Sequence, residues 1–209
     1  YWINNKERKY NIKMSVFETI YKRRTIRNFK QDTVSEEKLK KLVDAARIAP
    51  QGANLQPLKY VIINDKKLLE PIFKTIAWAN YIRPAADPKD GQKPVAYILI
   101  LVDSEIKREG FDIDAGAAVE NLLLTAVEEE LGAAWLGAID RKKIKQILNI
   151  PDKYIIHTLV ALGYPGESPV IEDEKDNSIK YYKDENNVLH VPKRKLEDIV
   201  FFNKFNFGR

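Results

Sequence analysis

Residues 95–102 form the longest strongly apolar run of the chain, eight positions with no charge. Such a run predicts a central strand buried on both faces. Residues 58–63 are rich in branched and aromatic side chains and predict a second strand. Residues 133–139 and 155–162 predict two more. Between these runs the apolar period changes to three or four. Val16-Phe17-Glu18-Thr19-Ile20-Tyr21 reads as a short amphipathic helix. Leu39, Leu42, Val43 and Ala46 predict a longer one, with Ser35 as its N-cap, Glu36 and Glu37 in its first turn, and Pro50 beyond its end. Residues 67–76 read as a helix with Pro71 at a break. Residues 112–131 carry the longest helical pattern. Its Ala117, Ala118, Asn121, Leu122, Leu124 and Thr125 mix small and large residues around much of the circumference. A helix apolar on several faces is buried in a core or between subunits. A further helix runs through Leu148 and is closed by Pro151, and residues 195–200 predict a last short one. Residues 75–93 look like an irregular connection or lid, and residues 170–179 like an acidic, exposed stretch. The pattern is that of an α+β or mixed α/β domain, without internal repeat or linker.

Composition narrows this little. The chain has 209 residues, 35 Lys and Arg against 30 Asp and Glu, and a net charge of +5. The two signs are interleaved, which fits an anionic cofactor better than a nucleic-acid footprint. One basic arm, with Lys6, Arg8, Lys9 and Lys13, precedes Met14, and residues 1–13 read as a flexible arm or tag remnant. There is no cysteine, which excludes disulfides, thiolate nucleophiles and cysteine-ligated metals. The two histidines, His157 and His190, are far apart, so no metal site is expected. His157 reads as a hydrogen-bonded core residue. No apolar stretch is long enough to span a membrane, and Tyr1-Trp2-Ile3-Asn4 lacks the core of a signal peptide. The expectation is a cytoplasmic protein without membrane or nucleic-acid partners. No Gly-x-Gly-x-x-Gly follows a strand, so the Rossmann fingerprint is missing.

Two segments carry chemistry. The first is Arg23-Arg24-Thr25-Ile26-Arg27-Asn28-Phe29, with three guanidinium groups and a hydroxyl in five positions. Guanidinium forks match phosphate oxygens. The second is Ala49-Pro50-Gln51-Gly52-Ala53-Asn54-Leu55-Gln56-Pro57. Together they resemble the two signature segments of the FMN-dependent nitroreductase family, NAD(P)H oxidoreductases. The second departs from the family pattern at Gln51, where serine is common. Ala133-Ala134-Trp135-Leu136-Gly137-Ala138-Ile139-Asp140 resembles a third family segment. The likeness runs from about residue 16 to residue 200.

The resemblance implies a three-layer α/β/α domain over residues 14–200, with a central mixed, mainly antiparallel sheet, in a homodimer. It implies FMN at the dimer interface and NADH or NADPH as a transient donor. Arg23 and Thr25 would hold the phosphate, with Arg24 along the phosphate–ribityl side and Arg194 closing from the C-terminal end. Arg27 would lie beside the flavin edge where negative charge gathers on reduction. Pro50, Gln51, Gly52, Ala53, Asn54 and Gln56 would enter the neighbouring subunit's site. Leu136, Gly137 and Ala138 would line the ring, because glycine permits close backbone approach. A bulged strand is the alternative reading of that last segment. Trp78 and Tyr81 would form a lid over the substrate, with core packing as their alternative. The tail at 201–209, with Phe201, Phe202, Phe205 and Phe207, would pack on the partner subunit.

The reaction implied is hydride transfer through flavin N5, in ping-pong order, to a small aromatic acceptor such as a nitroaromatic or quinone. No catalytic side chain is needed for the first step, since the cofactor carries the chemistry. The alternatives are a flavin-binding protein without turnover, or a related dehalogenase or flavin-degrading activity.

Overall fold

The computed structural model describes residues 14–82, 84 and 87–205. The expected arm at 1–13 and the end of the aromatic tail, including Phe207, lie outside the described residues. Four strands, β1 (Leu58–Ile63), β2 (Ala96–Asp103), β3 (Gly132–Leu136) and β4 (Tyr154–Gly163), form an antiparallel sheet in the order β1-β2-β4-β3. Every residue of β2 is buried, as its unbroken apolar run predicts. Successive side chains of a strand point to opposite faces, and β2 divides its residues accordingly. Ile98, Ile100 and Val102 face one core, and Tyr97, Leu99 and Leu101 the other.

Helices cover both faces. On one lie α2 (Glu36–Arg47) and α4 (Phe111–Glu128), which bury Leu39, Leu42, Val119 and Leu122. On the other lie α3 (Lys66–Phe73) and α5 (Arg141–Leu148), which bury Ile72 and Ile144. The expected three layers result. Each such aliphatic burial stabilises by roughly 1.5–3 kcal/mol. The caps follow the sequence. Ser35 accepts from the Lys38 N–H at the start of α2. Asn149 ends α5 in the left-handed region, just before Pro151. Helix α1 (Val16–Lys22) starts with a reciprocal capping box between Ser15 and Glu18. It buries none of its residues, and Val16, Phe17 and Tyr21 are exposed.

Strand β3 is an edge of the sheet. The Ile26 N–H donates to the Ala133 carbonyl at 2.9 Å, and Thr25 forms a parallel bridge to Ala133. The arginine-rich segment therefore runs along this edge. Close approach requires Gly132. A Cβ there would stand 2.8 Å from the Ile26 side chain.

Several expectations are corrected. Residues 170–179 are mostly exposed, as expected, but they also hold an unforeseen strand: β5 (Val170–Asp173) joins β6 (Tyr182–Lys183) and β7 (Leu189–Lys193) in a second sheet of order β5-β7-β6. β5 and β7 are parallel, and β6 and β7 antiparallel. The helix expected at 195–200 shrinks to one 3-10 turn, Leu196–Asp198, because so short a segment cannot offset the cost of helix nucleation. Helix α3 ends at Phe73, two residues after Pro71, and β3 ends at Leu136. His157 is half-buried at the sheet's end, its Nε2 3.0 Å from Asp112 Oδ1, so the hydrogen bond is present but at the margin of the core.

Candidate functional site

The arginine segment begins where α1 stops, with Arg23 as the C-cap in an extended conformation. Arg24 folds back onto the helix. Its Nη2 donates to the carbonyls of Ile20 at 3.1 Å and Tyr21 at 3.3 Å, which lack partners within the last turn. The Arg24 Nε is buried without a hydrogen-bond partner among the described residues. Arg23 Nε lies 3.4 Å from Glu120 Oε1 on α4. Burial holds Arg24 below the ordinary arginine range, and the adjacent Arg23 charge adds to this, while Glu120 opposes it. Arg23 and Arg24 line a cleft of about 580 Å³ with Tyr21, Gly132, Ala133 and Glu167. Lys22 adds a third cation to this lining, and Glu130 joins Glu167 on the acidic side.

Arg27 is held at both ends. Its backbone N–H donates to Glu167 Oε1. The Asn28 N–H and Nδ2 also donate to Glu167, at 3.2 and 3.1 Å. The guanidinium lies over the ring of Tyr181, 5.4 Å from its centre. Burial lowers the Arg27 pKa, against the raising influence of Tyr181 and Glu167.

The second signature forms a strained loop after α2. Gly52–Asn54 make a 3-10 turn, and Ala53, Asn54 and Gln56 have φ of 50°, 53° and 53°. Left-handed backbone is uncommon outside glycine and gathers at functional sites. A buried carboxylate holds the loop in place. Asp114 on α4 accepts the Gly52 N–H at 2.8 Å and pairs with Lys107 Nζ at 2.6 Å. Burial pushes the Asp114 carboxyl up, but the Lys107 and Gly52 hydrogen bonds outweigh it and hold it below the usual range. Pro50, Gly52, Ala53, Asn54 and Gln56 are exposed, whereas Gln51 is half-buried with its Oε1 unpartnered among the described residues. None of these residues lines the Arg23–Arg24 cleft of the same chain.

The far end of β3 opens a second cleft of about 410 Å³, lined by Phe111, Asp112, Trp135, Gly137, Arg141 and His157 among others. Leu136 is buried, while Gly137 and Ala138 are exposed. A Cβ at Gly137 would meet nothing within 4 Å, so packing inside this chain does not require the glycine. The backbone here is fixed from two sides. Arg141 donates to the carbonyls of Gly137, Ile156 and His157 at 3.2, 3.0 and 2.8 Å. The Thr158 hydroxyl donates to the Leu136 carbonyl at 2.6 Å.

The two expected lid residues separate. Trp78 is 3 % exposed, with its ring 5.8 Å from Phe73. Its place is in the core beneath α3, so the packing alternative describes it. Tyr81 is 55 % exposed and its ring lies 5.0 Å from that of Tyr181. Arg194 is exposed just beyond β7 and does not line the cleft of Arg23 and Arg24. Tyr181, Glu167 and Asp114 escaped the sequence reading. The acidic pair carries no motif. Tyr181 lies 154 residues from Arg27 in an irregular segment, and only folding brings them together.

A sequence model of the nitroreductase family matches residues 20–164. An Archaeoglobus fulgidus protein provisionally named NADH dehydrogenase/NAD(P)H nitroreductase is 30 % identical over 164 residues, covering 75 % of this chain and 86 % of its own length. A Methanothermobacter thermautotrophicus protein of the same provisional name is 32 % identical over 166 residues, covering 77 % and 83 %. The solved structure of an FMN-dependent nitroreductase from Clostridium difficile superposes with a TM-score of 0.66 at 26 % identity, covering 90 % of this chain and 99 % of that one.

Proposed function

The chain belongs to the nitroreductase family, and we propose that it reduces a small aromatic acceptor, such as a nitroaromatic or quinone, with electrons from NADH or NADPH. It is an FMN-dependent oxidoreductase. When bound, the flavin supplies hydride transfer at N5, chemistry that no side chain here can provide. Donor and acceptor use the site in ping-pong order. A homodimer with FMN at its interface and a cytoplasmic location belong to the same proposal.

The residues fit such a cofactor. A phosphate needs several donors, and Arg23, Arg24 and Thr25 stand together along the β3 edge, with Arg194 proposed to close from the other end. Arg24 Nε and Gln51 Oε1 are buried polar atoms in want of partners. The open space beside Gly137 admits a flat ring against the backbone. Pro50–Asn54 and Gln56 do not line their own chain's arginine cleft, which supports their use by a neighbouring subunit. The exposed apolar face of α1, together with the exposed Phe202, supports a partner as well. The observation that carries the reading is the Ile26–Ala133 hydrogen bond. It joins the arginine segment to the strand that stops one residue short of Gly137, which supports placing phosphate-binding charge and ring-facing backbone along one edge.

Absorption spectroscopy tests this directly. Purified protein incubated with FMN and freed of excess should retain a flavin spectrum that NADH or NADPH bleaches without oxygen. A colourless protein would overturn the assignment. Retained flavin that neither nicotinamide reduces would instead leave a binding protein without turnover.

A further inference from the structure

The small sheet has no role in the reading above, yet the residue just before its strand β6 supplies the side chain that meets Arg27. Two consecutive tyrosines stand where the chain enters β6, Tyr181 just before the strand and Tyr182 as its first residue. Tyr182 pairs with His190 across the strands. Its ring stacks on the imidazole at 4.9 Å and 11°, and its hydroxyl donates to Glu172 Oε1 at 2.9 Å. Tyr182 is therefore fixed against β7 and β5. Tyr181, one residue earlier, meets Arg27 and Tyr81 instead. Its ring lies 5.4 Å from the Arg27 guanidinium carbon, within the range where an aromatic face attracts a cation. Its hydroxyl accepts the Tyr81 N–H at 3.4 Å, and the two rings are 5.0 Å apart.

We infer that Tyr181 is a positioning residue: it holds the Arg27 guanidinium at the flavin edge and ties the exposed Tyr81 turn to that same charge. The inference rests on the FMN reading above. Glu167 fixes the Arg27 backbone, but a long side chain on a fixed backbone still samples many rotamers. The Tyr181 ring removes that freedom while leaving the charge unneutralised, which a carboxylate in the same place would not. An arginine aimed by a π face keeps its full charge for the anion that forms when the flavin is reduced. The anchoring of Tyr182 to His190 and Glu172 gives the device its rigidity. If the exposed Tyr81 turn covers the acceptor, as the lid expectation has it, its contact with Tyr181 makes it sensitive to the same residue.

The test is a spectroelectrochemical titration of FMN bound to the wild type, Tyr181→Leu, Tyr181→Gln, Tyr181→Phe and Arg27→Ala, with FMN dissociation constants measured in parallel. Arg27→Ala should lower the midpoint potential. Tyr181→Leu and Tyr181→Gln should lower it in the same direction, with the preference for reduced over oxidised FMN falling about tenfold, or about 30 mV for a two-electron couple. Oxidised FMN affinity should change less, since the phosphate contacts are elsewhere. Tyr181→Phe keeps the ring and should hold the wild-type potential, while KM for the acceptor rises through loss of the Tyr81 hydrogen bond. The double variant Arg27→Ala/Tyr181→Leu should be no lower than Arg27→Ala alone. Wild-type potentials in both Tyr181→Leu and Tyr181→Gln, beside a lowered one in Arg27→Ala, would overturn the role of Tyr181 and leave the FMN reading standing. Failure of the wild type itself to retain FMN would overturn both.

Discussion

The two sheets of this chain are built on opposite principles. The four-stranded sheet is dry. Its central strand is buried along its whole length, and two layers of aliphatic side chains close over it. The three-stranded sheet is wet and ionic. At its centre His190 Nδ1 lies 3.0 Å from Glu172 Oε2, and its Nε2 lies 3.3 Å from Asp184 Oδ2, with Tyr182 stacked on the ring. Area burial stabilises the first with little dependence on pH. Charge pairing stabilises the second only while both partners are ionised. A platform held by burial thus borders the arginine segment, and the tyrosine proposed to aim Arg27 directly precedes a sheet held by charge pairs.

The contrast is sharpest in the core. Leu99→Ala, at a position with 0 % exposure in the middle of β2, should cost about 2–5 kcal/mol through lost transfer energy and the cavity left behind. Urea unfolding would measure it, and a near-neutral result would mean the main sheet is not packed as described. The next effect is one of pH. Glu172 first, then Asp184, raises the His190 pKa above its ordinary value, against opposing burial. The stability this adds is fully present below the unfolded-state histidine value and is lost as pH rises through the raised folded value. Glu172 is lowered by His190 and Tyr182, and Asp184 chiefly by the Val188 N–H with help from His190. Their share is present above the ordinary carboxylate range and is lost as pH falls through their depressed values. The cluster should therefore grip best between the carboxylate range and the ordinary histidine value. Backbone hydrogen exchange in β5–β7, corrected for intrinsic rate, should be faster at about pH 8.5 than at about pH 5.5, with β1–β4 unmoved. Equal corrected rates in β5–β7 would erase the distinction. The smallest effect is expected at Ile171→Ala in β5, where the side chain is 40 % exposed. Its thermal or urea stability should stay within about 0.5 kcal/mol of the parent, and a loss matching Leu99→Ala would make the small sheet a second dry core.

The same contrast explains what could be read from the sequence. An apolar run such as 95–102 announces its burial, and the spacing of Leu39, Leu42 and Ala46 announces a helix. Helix starts were legible because Ser35 and its following acids act locally. The arginine cluster was legible because its members are adjacent. β5 was hidden because Val-Ile-Glu-Asp neither alternates nor continues, and its partner β7 contains Pro192. That proline is tolerated because β6 pairs only with Leu189 and His190, which leaves the Pro192 side of β7 unpaired by β6. The meeting of Tyr181 with Arg27, the carboxylate under Gly52, and the separation of Trp78 from Tyr81 are products of tertiary folding. No local pattern encodes them. Trp78 illustrates the limit, because a tryptophan among prolines has the same composition whether it covers a ligand or fills a core.

Gly132 stands outside every signature segment, yet a single methyl there would collide with the Ile26 side chain, Cβ included. Relief would come from lifting the neighbouring segment off the sheet margin, and the four positions proposed to hold the cofactor, 23, 24, 25 and 27, would travel with it. Loss of bound pigment after such a change would be an effect of carpentry at a distance, with every contacting side chain still present.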